Sequence, residues 1–197
     1  MDDDVVFEST RTLTQAEFAD WVERRERWDH LNRFELLDGR VLMTPPAGHP
    51  HGEIEANVVA RLHAFVRERG LGRVFGSSQG FQLPTGDTLE PDVTFVSRER
   101  WDAAPAPEPG KFLRVVPDLV VEIASRSTRT RDRSEKRAAY EKAGVREYWI
   151  VDPAARCVIV FVAREARFDE ERIFGEHERL ASEVLAGFES AVADLLA

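Results

Sequence analysis

Pro117-Asp-Leu-Val-Val-Glu-Ile-Ala-Ser125 decides how the chain is read. From Leu119 to Ala124 the run is almost wholly apolar, the composition of a strand covered on both faces, and Glu122 is its one charged residue. Downstream, Asp132 with Glu135 three residues on predicts the N-cap of a helix that carries Ala138, Ala139 and Tyr140 and stops at Gly144. A strand at Glu147-Tyr-Trp-Ile-Val151 and another over 157–162 follow, and the acidic tail from about 176 ends in a short helix through Val192, Leu195 and Leu196. Upstream, Pro91-Asp-Val-Thr-Phe-Val96 is the clearest of two or three strands expected over 73–97, and 102–110 reads as an exposed loop. Ile54, Val58, Leu62, Phe65 and Val66 recur at helical spacing from His51 to Arg69, with Gly70 placed to end the helix. Before it, Phe34-Glu-Leu-Leu37 and Arg40-Val-Leu-Met43 flank Asp38-Gly39 as a hairpin. Thr14 and Glu17 open a first helix near 14–29. Helices and strands so interleaved indicate an α/β (α+β) class: one domain over 1–197 with a central mixed sheet packed by helices, an N-terminal helix and hairpin (about 12–46), and an acidic extension (about 176–197).

Composition narrows the function. The 197 residues carry 27 Lys and Arg against 36 Asp and Glu, a net charge of -9, which argues against coating nucleic acid by overall charge. The single Cys157, among Val158, Ile159 and Val160, excludes a disulfide scaffold and reads as a small buried residue. Met1-Asp-Asp-Asp4 lacks the basic start of a signal peptide and no apolar stretch approaches a membrane span, so the expectation is a cytoplasmic protein with no membrane partner.

Asp92 and Glu122 each stand within apolar strand sequence, where an ionised carboxylate is costly unless compensated. If the two strands are neighbours, both acids reach one sheet edge and form a hard oxygen site suited to Mg²⁺. The alternative is that Asp92 begins its strand in water and Glu122 pairs with a nearby arginine. Lys136 lies early in the helix after Glu122, and helical side chains slant toward the N-terminus, back toward that strand end. Its own alternative is a solvated lysine pairing with Tyr140 or Glu135. Two acids, a cation and an ammonium group are the parts that hydrolyse a phosphodiester. The segment Arg126–Arg137 has six basic residues and two acidic, a net +4 that leaves -13 over the rest of the chain. Arg126, Arg129, Arg131 and Arg133, helped by Ser127, Thr128 and Thr130, could grip phosphate oxygens, or simply form a solvated surface.

These residues together resemble a known family. Pro117 to Ser125, then Asp132, Lys136, Tyr140, Gly144-Val145, Tyr148-Trp149 and Val151-Asp152-Pro153, with Glu35-Leu-Leu-Asp-Gly39, Pro46, His51 and Pro91-Asp92 upstream, look like the pattern of the Uma-two family, described as restriction endonucleases. The resemblance spans roughly residues 30 to 190 and implies the restriction-endonuclease-like PD-(D/E)XK fold, with an αβββαβ core. It also implies DNA as partner, Mg²⁺ (or Mn²⁺) as cofactor, and a homodimer by analogy with nucleases whose two sites face two strands. Asp92 and Glu122 match the two acids and Lys136 the lysine, with the Ile123 carbonyl as a candidate third metal ligand. Two positions depart from the pattern: Ala124 stands where the superfamily lysine would be, two residues after Glu122, and Arg126 stands where proline often follows the serine. Glu35 and His51 occupy family-like positions as candidate accessory groups; a strand-end glutamate can equally be exposed, and a histidine at a helix start can equally be a cap. A nuclease-fold module that binds without cutting and a hydrolase of small phosphoesters are the competing functions.

Overall fold

The computed structural model describes residues 7–9, 11–25, 29, 31–126 and 128–197; Ser127, the Met1–Asp4 segment and the expected end of the first helix at 26–28 lie outside them. A six-stranded mixed sheet forms the centre. It is built from β4 (Gly72–Gly76), β7 (Val93–Ser97), β8 (Leu119–Ile123), β9 (Glu147–Asp152), β10 (Cys157–Arg164) and β11 (Arg167–Gly175), in the order β11-β10-β9-β8-β7-β4. Only β8 and β9 run parallel. A parallel neighbour needs a crossover, and the segment between them supplies one as a continuous helix. That helix consists of α4 (Arg129–Arg131), a π-helical turn (Asp132–Lys136) and α5 (Arg137–Ala143). With α2 (His51–Arg69) ahead of β4, the elements α2, β4, β7, β8, the crossover helix and β9 give the expected αβββαβ core.

The strand parity divides the interior. Val93, Phe95, Leu119, Val121, Ile123 and Trp149 point to one side, against Ile54, Val58 and Leu62 of α2. Val120, Ala124, Tyr148 and Ile150 point to the other, against Ala139, Tyr140 and Ala143 of α5. The near-continuous apolar run of β8 is thus explained, since all five of its residues are buried. Tyr148 and Trp149 are core, as their strand implied.

A second sheet covers the α5 side. It contains β1 (Phe7–Glu8), β2 (Arg33–Leu37), β3 (Arg40–Thr44), β5 (Phe81–Gln82) and β6 (Thr88–Leu89), in the order β1-β3-β2-β6-β5. The β2–β3 hairpin turns at Asp38-Gly39, both at positive φ (49° and 75°), the geometry that a two-residue turn of this kind requires. Phe34 and Leu36 pack against Phe18 and Val22 of α1 (Gln15–Arg25). Leu37, of opposite parity, joins the central core. Arg33 and Glu35 share that parity and so face the main sheet.

Several elements differ from expectation. The stretch 72–97 forms four strands, two of them only two residues long. The loop expected from Asp102 begins later, because α3 (Arg98–Ala103) runs into it behind a Ser97 cap. Strand β11 has no apolar run: it is a sheet edge, and of Arg167–Gly175 only Phe168 is fully buried. A small hairpin of β12 (Arg179–Ala181) and β13 (Glu189–Ala191) precedes the expected terminal helix α6 (Val192–Leu196). It is tied to the core by the wholly buried Glu147, which accepts from Trp149 Nε1, Ser182 Oγ and the amides of Glu183 and Val184. Asp132 is not an N-cap. The helix begins before it, where Ser125 and Thr128 cap each other: each backbone N–H donates to the other's hydroxyl, at 3.0 and 3.1 Å. Cys157 is half-buried against the core. Among the described residues no helix is long and apolar enough to cross a membrane.

Candidate active site

Antiparallel register pairs Val93 with Val121, so Asp92, one residue earlier, comes opposite Glu122. The two acids therefore leave neighbouring strands on the same face, as strand adjacency would require. Asp92 is buried and engaged through both oxygens. Its Oδ1 accepts from Arg33 Nη1 at 2.9 Å, and its Oδ2 takes the Ile123 amide at 2.7 Å and lies 3.0 Å from His51 Nε2. Burial pushes its pKa up, but the hydrogen bond and charge of His51 and the charge of Arg33 outweigh that and hold it at about 2.

Glu122 has the opposite environment. Its Oε1 accepts from Lys136 Nζ at 3.0 Å and from the Tyr140 hydroxyl at 2.6 Å. Complete burial raises its pKa to about 8; Lys136 opposes the rise, while the charges of Asp92, Asp132 and Glu35 add to it. Lys136 is pushed down by burial and up, by more, by Glu122, Glu35 and Asp132, so it stays an ammonium group. Its Nζ also lies 3.0 Å from Glu35 Oε1. That oxygen in turn accepts the Glu90 amide at 2.9 Å, which locks the hairpin to the residue just before Pro91-Asp92. Glu35 is thus buried at the site, and His51, the first residue of α2, touches Asp92 while keeping some exposure to the cleft.

Two further groups stand here. Arg33 shares the period-two face of β2 with Glu35, which the fold turns toward the main sheet. Asp132, read as a cap, is buried in the π turn, where burial raises its pKa to about 6 against the pull of Lys136 and the Thr128 hydroxyl. Arg33, Glu35, Asp92, Glu122, Asp132 and Lys136 all line one cleft of about 1080 Å³. Arg126, Arg129 and Arg131 line its mouth, as do Thr128 and Thr130. Arg129 is anchored to Asp152 at 2.6 Å, while Arg126 and Arg131 form no ion pair among the described residues. Arg133 lies away from the cleft and pairs with Glu171 of β11 at 2.9 Å.

The residues suit a hard cation by chemistry and charge. Four buried carboxylates (Glu35, Asp92, Glu122, Asp132) face two permanent cations, Arg33 and Lys136. Metal binding would displace the proton that the raised pKa of Glu122 holds, leaving two negative charges in excess of Arg33 and Lys136 for one divalent ion to offset. Among the described residues no three acidic, histidine or cysteine side chains converge as a ready ligand set, so such an ion would keep much of its water.

Comparison with known proteins agrees with this architecture. The chain belongs to the Uma2 family, described as "Putative restriction endonuclease", whose model matches residues 17–193. Among solved structures it is similar to "a putative nuclease belonging to DUF820" from Anabaena variabilis, with a TM-score of 0.75 and 18% identity, covering 93% of this chain and 97% of that one. That likeness establishes a shared fold. No curated protein matches the chain.

Proposed function

We propose that this protein is a divalent-metal-dependent endonuclease that hydrolyses DNA phosphodiester bonds, with Mg²⁺ as the natural cation and Mn²⁺ as a substitute. The observation that carries this reading is the placement of Asp92 and Glu122 face to face on adjacent strands, with the Lys136 ammonium 3.0 Å from Glu122, at the floor of an arginine-rimmed cleft. Asp92 and Glu122 would hold the cation, with the Ile123 carbonyl as a third ligand. When bound, the cation neutralises phosphate charge and acidifies water.

The remaining work falls to the chain. Lys136, permanently charged and held by Glu35, stabilises negative charge developing on the phosphate. His51 and Arg33 fix Asp92 as an ionised carboxylate, and Arg33 reaches the cleft on its other side. Arg126 and Arg131, with no carboxylate partner among the described residues, grip backbone phosphates, and Arg129 is held in place by Asp152. Binding would be confined to this rim, because the rest of the protein is acidic.

The test is incubation of the protein with supercoiled, linear and single-stranded DNA in Mg²⁺, Mn²⁺ or EDTA, beside Glu122→Ala. Cleavage that needs the metal and is lost in the variant is the expected result. DNA retention without cleavage in any metal would mean that the fold serves as a binding module. Metal-independent cleavage, or equal cleavage by the variant, would refute the assignment of the site.

A further inference from the structure

Asp132 is 1% exposed and lines the cleft, yet its Oδ1, itself buried, has no hydrogen-bond partner among the described residues. Two buried carboxylates elsewhere in the molecule are saturated. Asp118 accepts from the Ser97 amide and pairs with Arg100 and Arg146, and Glu147 takes four donors. Those two acids hold the fold together. Asp132 does not: the Thr128 hydroxyl bonds its side chain, but Lys136, whose charge acts on it, is committed to Glu35 and Glu122 at 3.0 Å each. An oxygen left bare at depth is costly, and such a group calls for a partner that the protein itself lacks.

The backbone explains how the carboxylate comes to be there. The crossover helix is α-helical on both sides of Asp132–Lys136 but π-helical through it. π turns are rare and cluster where a helix must re-aim its side chains at a functional site. Here the turn places Asp132 and Lys136, four residues apart, both on the buried face.

We propose that Asp132 is a positioning residue for the divalent cation: its Oδ1 accepts a hydrogen bond from hydrated Mg²⁺ or Mn²⁺ held by Asp92 and Glu122. The inference rests on the metal site proposed above and adds a carboxylate from the helix side. Contact through water fits the lack of a converging set of direct ligands among the described residues, and Mg²⁺ retains several waters in most protein sites. Hydrogen-bonding partners outside the ligand shell are typically worth about 10- to 100-fold in metal affinity or activity.

The experiment is Mn²⁺ binding to the full chain without DNA, followed by calorimetry and by the electron paramagnetic resonance signal of free Mn²⁺. The proteins compared are the parent, Asp132→Asn and Asp92→Asn, and each one's melting temperature is recorded in EDTA and in Mn²⁺. Asp132→Asn is expected to lower Mn²⁺ affinity about 10- to 100-fold and to shrink the metal-induced rise in melting temperature. In EDTA it should melt no lower than the parent, since no satisfied interaction of Oδ1 is lost. Unchanged Mn²⁺ affinity in Asp132→Asn, beside lost binding in Asp92→Asn, would overturn the inference and leave the metal site standing. Absence of Mn²⁺ binding by the parent at millimolar concentration would overturn the metal site and the inference together. Should Asp132→Asn fail to fold, Asp132→Ser, neutral and smaller, is read by the same criteria.

Discussion

Replacing Glu122 by glutamine isolates the electrostatic state of the site. The glutamine amide keeps an acceptor for Lys136 and Tyr140 in the same place, and the titrating carboxyl is gone. In the parent, burial among acids raises the Glu122 pKa from the ordinary 4.5 to about 8. A folded-state pKa above the unfolded one means that the folded state binds the proton more tightly. The associated stability is therefore complete below pH 4.5 and is lost as pH rises through 8. Asp132 loses its corresponding contribution lower, between the ordinary 3.8 and about 6, and Lys136 stays charged throughout. The window from about pH 6.5 to 8.5 thus reports mainly Glu122. At about 1.36 kcal/mol per pH unit, the parent should lose about 2 kcal/mol relative to Glu122→Gln across it. Urea unfolding of both proteins in EDTA at the two pH values measures this, and contributions common to both proteins cancel. Millimolar Mg²⁺ should abolish most of the parent's loss, because the cation replaces the proton. Parallel pH dependences in EDTA would refute the claim that Glu122 is an acid held above its ordinary range.

Lys136→Met should cost about 3–5 kcal/mol, because it leaves Glu35 and Glu122 buried without their shared cation; unfolding at about pH 5.5 and 8.5 should show the smaller loss at the lower pH, where Glu122 takes up a proton. Arg126→Ala and Arg131→Ala should each reduce the slope of log K against log salt for duplex binding by about 0.9, whereas Arg133→Ala, which removes a residue paired with Glu171, should leave it unchanged; fluorescence anisotropy across a salt series decides. Glu147→Ala strands four donors, the buried Trp149 Nε1 and Ser182 Oγ and the part-buried amides of Glu183 and Val184, and should lower the melting temperature by about 10 °C without altering Mn²⁺ affinity.

The core was legible where burial writes itself into composition. The apolar run of β8, the helical spacing of α2 and the Asp-Gly turn each follow from one local rule, and each formed as expected. Strand β11 escaped notice because an edge strand keeps one side in water and so carries Asp169, Glu170, Glu171 and Arg172 in place of an apolar run. The site was legible in its acids, since Asp92 and Glu122 are anomalous in their strands whatever the fold. Arg33 and Glu35 were harder to read. Their meaning depends on which face of β2 meets the main sheet, and that is a tertiary fact. Asp132 is ambiguous in sequence for a related reason: an aspartate three residues before a glutamate is a good capping pattern, but Ser125 and Thr128 cap this helix one turn earlier.

Ala124 stands two residues after Glu122, where the resemblance implies a lysine, and the same helix bears on that difference. Ala124 is 4% exposed and packed in the cluster that contains Tyr140, whose hydroxyl donates to Glu122. Ala124 lines the same cleft as Glu122, and the ammonium group that serves that carboxylate comes from elsewhere in the fold. From the helix, Lys136 reaches the same carboxylate at 3.0 Å and meets Glu35 as well. Its place on the helix couples the ammonium to the π turn, so the geometry that presents Lys136 presents Asp132 with it. The chemistry of the site is therefore specified by what surrounds Glu122 in space. In this chain the crossover helix, and not a position two residues along β8, brings an ammonium group to Glu122.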